Sequence, residues 1–97
     1  MNKEMDLPVA VDPTSENAHW RENFATRPYV EKGAVFEDYG PAYAYGVISS
    51  IRYDGRTFED VESELSRDWA NMRGNSLLAW VQARHATRDA WDRVRNK

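Results

Sequence analysis

The sequence predicts an all-α fold of three to four helices that ends in an antiparallel helical hairpin. Between residues 57 and 74, apolar side chains recur every three or four positions, which is typical of an amphipathic helix. They are Phe58, Val61, Leu65, Trp69 and Met72. Residues 76–95 show a similar pattern and place Trp80 and Trp91 on one face. The short Gly74-Asn75 link indicates that the two helices are antiparallel neighbours.

Length and composition limit what this chain can be. Its 97 residues suffice for one domain, and the four Trp, five Tyr and three Phe supply large apolar side chains for a small core. The absence of cysteine excludes disulfides and thiolate zinc sites and mildly favours the cytoplasm. No stretch approaches the ~20 apolar residues of a membrane-spanning helix, and the N-terminus lacks the apolar run of a signal peptide. We therefore expect a cytoplasmic protein without membrane contact, with residues 1–15 as a flexible leader and residues 16–97 as a single helical domain.

A short helix is predicted to follow the leader. Ser15 or Asn17 can cap its N-terminus. Trp20 and Phe24, four residues apart, then share one face. The helix ends before Pro28, because the residue that precedes a proline avoids helical geometry.

A second predicted helix runs from Pro41 to about Tyr53. Gly46 lies inside it, where glycine lowers helix stability by ~1 kcal/mol relative to alanine. We interpret this glycine as the site of a close helix crossing. A strand over residues 43–51 is the alternative, since Tyr, Val and Ile also favour β-structure.

Terminal residues define the hairpin. Thr57 and Asp60 match a capping box, and Gly74 is a typical helix end. Ser76 or Asn75 is expected to cap the last helix. Its predicted buried face consists of Leu77, Trp80, Val81, the stem of Arg84, Thr87, Trp91 and Val94. The core predicted for the whole domain is Trp20, Phe24, Tyr45, Ile48, Phe58, Val61, Leu65, Trp69, Trp80, Trp91 and Val94.

Charge is distributed unevenly along the chain. Residues 1–72 carry 7 basic and 14 acidic side chains, whereas residues 73–97 carry 6 basic and 2 acidic ones. A basic segment of this kind can bind nucleic acid. It can equally be neutralised inside the fold, because an antiparallel hairpin brings the acidic start of one helix beside the basic end of the next.

Three segments together resemble a family of small uncharacterised bacterial proteins. They are Asp38-Tyr39-Gly40-Pro41-Ala42-Tyr43-Ala44-Tyr45-Gly46, Phe58-Glu59-Asp60-Val61-Glu62 and Arg88-Asp89-Ala90-Trp91-Asp92-Arg93-Val94. Each is short, and the looser segments Trp20-Arg21-Glu22-Asn23-Phe24 and Arg27-Pro28-Tyr29 are also similar. Together, their order and spacing make the resemblance fairly specific over roughly residues 18–95. The resemblance implies no reaction, and it suggests an accessory or stress-associated role. Thr87 stands where the pattern leads us to expect an apolar residue.

A tyrosine-rich segment is the first candidate site. Tyr39, Tyr43 and Tyr45 cluster beside Gly46. Tyrosine joins an apolar ring to a polar tip, and glycine permits close approach of another backbone. These four residues form our candidate ligand or partner surface, and the alternative is that they cover the core and form local hydrogen bonds.

The second candidate site is basic. Arg84, Arg88 and Arg95 share one face of the last predicted helix, as a nucleic-acid-binding surface requires. The acidic total of the chain weakens this interpretation, because binding to phosphates depends on uncompensated cations. His85 and Asp89, four residues apart, are spaced to pair, but no nucleophile is placed beside them.

We therefore expect a non-enzymatic interaction module, without catalytic residues, cofactor or metal site. Its partner is predicted to be a second copy, in a homodimer, or another protein. The alternative is an accessory protein that binds nucleic acid through Arg84, Arg88 and Arg95. Two histidines and no cysteine leave few ligands for a transition metal.

Overall fold

Residues 12–96 are described by a computed structural model of the chain. The described residues form four α-helices and one short 3₁₀ helix, with no strand among them. The elements are α1 (Pro13–Asn23), a 3₁₀ turn (Phe24–Thr26), α2 (Phe36–Arg52), α3 (Phe58–Met72) and α4 (Trp80–Arg95). The predicted all-α fold is confirmed, and the alternative strand over residues 43–51 is wrong.

Helix α1 begins earlier than predicted. Asp12, and neither Ser15 nor Asn17, is its N-cap, and the Asp12 side chain accepts a hydrogen bond from Thr14 N at 3.1 Å. Pro13 occupies the first turn, where backbone N–H groups have no acceptor within the helix. The missing N–H of proline therefore costs no helical hydrogen bond. Residues 13–15 of the predicted leader therefore belong to the helix, and residues 1–11 lie outside the described part of the chain.

Helix α2 also extends further than predicted, since it begins at Phe36 and continues through Pro41. A proline inside a helix clashes with the residue before it. Here that residue is Gly40, which has no Cβ to clash. The Gly-Pro pair, which suggested a helix start, is therefore accommodated within the second turn.

The closest helix contact joins α2 to α4, which pack together more extensively than any other pair. Gly46 faces the backbone of Thr87, and a methyl group added at Gly46 would overlap the Thr87 carbonyl oxygen and lie 2.9 Å from Ala90 Cβ. Thr87 is fully buried, and its Oγ1 donates to the Ala42 carbonyl at 3.0 Å. The predicted close crossing at Gly46 is confirmed, with α4 as the partner helix.

Helix α3 begins as predicted. Thr57 is its N-cap and forms a capping box with Asp60. Gly74 lies just after the C-terminal end of α3. Its φ is +57°, a left-handed conformation that glycine adopts without strain.

The link between α3 and α4 is longer than predicted. Helix α4 begins at Trp80, because Ser76 is buried and its Oγ donates to the Asp38 carbonyl of α2 at 2.6 Å. Residues 76–79 have no regular structure, and this rotates Leu78 into the core and Leu77 outward. The prediction that Leu77 and Val81 are buried is wrong, since they are 80% and 68% exposed.

Contacts between α3 and α4 follow the order expected of an antiparallel pair. Glu59 binds Arg88, and Glu62, one turn later, binds Arg84. At the other end of the pair, Trp69 Nε1 donates to the Leu78 carbonyl at 2.9 Å. The contacts also place acidic residues of the first turns of α3 beside basic residues of α4.

Most of the predicted core is buried. Seven predicted members are fully inside: Trp20, Tyr45, Phe58, Val61, Leu65, Trp69 and Trp91. Phe24, Trp80 and Val94 are partly buried against them. Ile48 was predicted wrongly, because the face that α2 turns to α4 carries Gly46 and Ala42 and leaves Ile48 46% exposed.

The Gly46 contact predicts a large effect of one methyl group. Gly46→Ala should reduce the free energy of unfolding by ~2 kcal/mol or more, because overpacking against a backbone oxygen outweighs the ~1 kcal/mol gained in helix propensity. Gly40→Ala is the matched control, since there the nearest atom belongs to the side-chain ring of Phe36. Urea unfolding followed by circular dichroism measures both variants. Equal stabilities of the two would contradict the close crossing.

Candidate functional site

The tyrosine-rich segment lies inside the protein. Tyr39, Tyr43 and Tyr45 are 2–4% exposed, and Gly46 is buried. Helix α2 turns Tyr43 toward α1, where it stacks on Trp20 at 4.4 Å between ring centres. It turns Tyr45 toward α3, where the ring lies 5.7 Å from that of Trp69. These side chains therefore fill the core, and as a partner surface they offer very little accessible area.

The tyrosine hydroxyls are used in local hydrogen bonds. Tyr45 OH donates to the Leu65 carbonyl at 2.9 Å, and Tyr43 OH lies 2.9 Å from Tyr29 OH. Burial raises the pKa of both Tyr43 and Tyr45 to about 12. The neutral phenols are thus strongly favoured at neutral pH, as expected of structural groups.

A polar network connects residues far apart in sequence. Arg27 donates to both carboxylate oxygens of Asp89, from Nε at 2.7 Å and from Nη2 at 3.1 Å. Tyr29 OH donates to the same carboxylate at 2.5 Å and continues to Tyr43. Burial, followed by the hydrogen bond to Asp89, raises the pKa of Tyr29 well above its usual value. The network fixes the segment after the 3₁₀ turn against α2 and α4.

His85 and Asp89 do not form the predicted pair. The carboxylate of Asp89 is bound to Arg27 and Tyr29, and the His85 ring instead stacks on Tyr29 with 5.6 Å between centres. Asp89 therefore does not orient the His85 imidazole, as it would in a paired general base.

The basic face of α4 is largely matched by acceptors. Glu62 accepts from two nitrogens of Arg84, with Nη2 at 3.0 Å, and this contact lowers the pKa of Glu62. Arg88 binds Glu59 and lies over the Phe58 ring. Arg95 points elsewhere and donates to backbone carbonyls of Ser50, Tyr53 and Arg56. The three arginines therefore do not form one free cationic surface.

An open depression lies between the segment after the 3₁₀ turn and α4. Its volume is about 230 Å³. The lining residues are Arg27, Tyr29, Arg84, His85, Arg88, Asp89 and Asp92. It brings Arg84 and Arg88 of the predicted basic face together with Arg27, and it excludes Arg95.

A smaller, mostly apolar cavity of about 70 Å³ lies between α1 and α2. Tyr43, Val47 and Ile48 line it from α2, and Trp20 and Glu16 from α1. Glu16 is buried and binds Arg93 Nε at 3.0 Å, which ties α1 to the end of α4. Tyr43 is thus the only member of the predicted tyrosine surface among the residues that line this cavity.

Exposed apolar side chains occur at the N-terminal ends of α2 and α4. We define Val35, Leu77 and Val81 as the apolar patch; they are 53%, 80% and 68% exposed. Val35 is the N-cap residue of α2, and Leu77 N donates to the Asp38 side chain in the first turn of that helix. Among the large apolar side chains of residues 12–96, these three have the highest exposed fractions.

Arg27 and Tyr29 were not among the predicted site residues. Their partner Asp89 is 60 or more positions away in sequence, so no local spacing relates the three. One local indication of a fixed segment is present in the sequence here. Arg27 and Tyr29 lie on either side of Pro28, in a stretch too short for a helix.

Neither a membrane helix nor a metal cluster is found in residues 12–96. None of the four helices combines the length and the hydropathy needed to cross a bilayer, and no three His, Asp or Glu side chains are grouped to bind a metal ion. Comparisons with protein-family models, with curated proteins and with solved structures gave no match. The site must therefore be interpreted from its own geometry.

Ionisation of the buried tyrosines predicts an alkaline loss of stability. Tyr43 and Tyr45 release their protons near pH 12 when folded but near pH 10 when unfolded, so the folded state binds more protons in this window. The free energy of unfolding should be constant below about pH 10 and then decrease by up to about 1.4 kcal/mol per pH unit for each tyrosine. Urea unfolding between pH 8 and pH 12 measures it. In Tyr43→Phe the decrease should be shallower; an unchanged slope would contradict the assignment.

The Arg27–Asp89 ion pair predicts a measurable coupling. A double-mutant cycle with Arg27→Ala and Asp89→Ala should give about 1–2 kcal/mol, because the contact is bidentate and half-buried. Arg67 and Asp68 form a more exposed pair and should give less than about 0.5 kcal/mol in the same cycle. Similar coupling in the two pairs would show that the Arg27–Asp89 pair does not fix the fold.

Proposed function

We propose that this protein is a non-enzymatic interaction module that associates with a second copy of itself through the apolar patch. The observation that carries the proposal is the exposure of Leu77 and Val81. Neither side chain contributes to the core of residues 12–96, although the sequence pattern would bury both in a regular helix. Exposed apolar side chains that lie together are the surface feature that an apolar contact site requires.

Symmetry favours a second copy as the partner. Closed two-fold dimers are the commonest homo-oligomers, and their interfaces place one patch against its own counterpart. An aliphatic patch is self-complementary in this sense, because it requires no opposite charge. Three side chains cover less than the ~1,000 Å² of a stable interface, so the dimer should be weak and concentration-dependent.

Nucleic-acid binding receives less support from the geometry. Arg84 and Arg88 are each bound to a glutamate of α3, and Arg95 is bound to backbone carbonyls. Affinity for a polyanion depends on cations that exchange small counterions for phosphates. Because Arg84 and Arg88 are paired with carboxylates within the fold, they contribute much less to affinity for phosphates.

The cellular setting remains a prediction. We propose a cytoplasmic location, since the chain contains no cysteine and its described helices include no membrane span. The bacterial origin and the stress-associated role rest only on the family resemblance and are proposals of the same kind.

Dimer formation is tested by sedimentation of the full chain over a wide concentration range. The wild type should approach twice the 11.3 kDa chain mass at high concentration. Leu77→Ser with Val81→Ser should remain monomeric, with a change in unfolding free energy of ~0.5 kcal/mol or less per substitution because both residues are exposed.

Ile48→Ser is the control for this experiment. Ile48 is also an exposed aliphatic residue, but it lies beside the α1–α2 cavity, away from the patch. This variant should dimerise like the wild type. A wild type that stays monomeric at every concentration, or equal weakening by both sets of variants, would contradict the proposed interface.

A further inference from the structure

We propose that the depression lined by Arg27, Arg84 and Arg88 binds a small phosphate-type oxyanion. Its volume of about 230 Å³ is below the ~300–1,000 Å³ of pockets for drug-sized ligands, so it suits a compact group. The three arginines line it from two parts of the chain, the segment after the 3₁₀ turn and α4. Guanidinium is the side-chain group whose planar donor geometry best matches phosphate oxygens.

Two of the three arginines are already held in place through part of their donor set. Arg27 uses Nε and Nη2 for Asp89, and Arg84 uses the same two nitrogens for Glu62. A guanidinium carries five N–H donors, so Nη1 of both side chains retains its hydrogens for a further acceptor. Arginines held in this way lose less conformational entropy when they bind a ligand.

The carboxylates are arranged unevenly around the depression. Glu59 and Glu62 bind Arg88 and Arg84 from α3 and are not part of the lining. Asp89 and Asp92 do line it. The lining itself contains three guanidinium cations and two carboxylates, but Glu59 and Glu62 bind two of these cations from outside it, so the whole cluster has a formal charge of −1. Phosphate binding therefore rests on the guanidinium donors that these contacts leave unused and not on an excess of positive charge.

This inference differs from nucleic-acid binding. A polyanion needs a row of uncompensated cations over a long surface, whereas a single oxyanion needs only the donors within one depression. Because Asp89 and Asp92 oppose the anion, the affinity should be modest, with a dissociation constant on the order of 1 mM.

Asp92 provides the sharpest variant. It is 52% exposed, and its contact with Arg88 Nε is long at 3.6 Å, so Asp92→Asn should leave the fold unchanged. Loss of this carboxylate raises the charge of the lining by one unit. Asp92→Asn should therefore bind phosphate about 3- to 10-fold more tightly than the wild type. This gain corresponds to removal of the repulsion between one carboxylate and the anion, at an effective dielectric constant between those of water and of the protein interior.

The experiment is an NMR titration of the folded full chain with inorganic phosphate at constant ionic strength. Saturable shifts of the His85 ring and of the Arg27 and Arg84 Nε–H groups are expected, and Arg84→Gln should weaken binding at least 5-fold. The natural ligand could be free phosphate or the phosphate group of a phosphomonoester, and a parallel titration with methyl phosphate distinguishes them. Tighter binding of methyl phosphate than of inorganic phosphate indicates a phosphomonoester, and equal binding indicates the free ion.

Matched controls change the same charge outside the depression. Arg52→Gln and Asp54→Asn alter exposed residues that are not part of the lining. Both should bind phosphate like the wild type within a factor of two. Shifts that never saturate, or an equal gain in Asp54→Asn and Asp92→Asn, would overturn the proposal even if Arg84→Gln failed to fold.

Discussion

The rest of the structure depends on the contact of two backbones at Gly46 and Thr87. Helix α4 can approach α2 this closely because Gly46 has no side chain and because Ala90, which faces it from α4, is small and fully buried. The hydrogen bond from Thr87 to the Ala42 carbonyl fixes the register of the two helices. This close approach of the two backbones supplies many short-range dispersion contacts at the crossing.

Large aromatic rings occupy the space on either side of this contact. Tyr43 and Tyr45 leave α2 in opposite directions, so that α2 lies between two aromatic clusters. One cluster includes Trp20, Phe24, Tyr29, Phe36, Tyr39 and Tyr43, and the other includes Tyr45, Phe58, Trp69, Trp80 and Trp91. The close crossing also sets the position of Asp89, which α4 presents to Arg27 and Tyr29. Both the polar network and the depression beside it therefore follow from the packing of α4 on α2.

Local patterns in the sequence predicted what depends on local physics. The stripe from Phe58 to Trp69, the capping box at Thr57 and the glycine at the crossing all act within a few residues, and all three are present. The start of α4 was missed because the Ser76 hydroxyl binds a carbonyl of α2, a partner 38 positions away. A regular helix from Ser76 would have buried Leu77, whereas this tertiary hydrogen bond leaves the residue outside. The candidate sites in the structure differ from the predicted ones for the same reason. Arg84, Arg88 and Asp89 are bound by residues of other elements, which local spacing in the sequence does not identify.

Proton distances across the crossing test the central claim most directly. If α2 and α4 meet at Gly46, nuclear Overhauser spectra of the wild-type chain should show strong cross-peaks between the Gly46 α-protons and the Ala90 methyl group, because nothing separates them. Absence of these cross-peaks in an assigned spectrum, with Gly46 instead close to side chains of α1 or α3, would contradict the account.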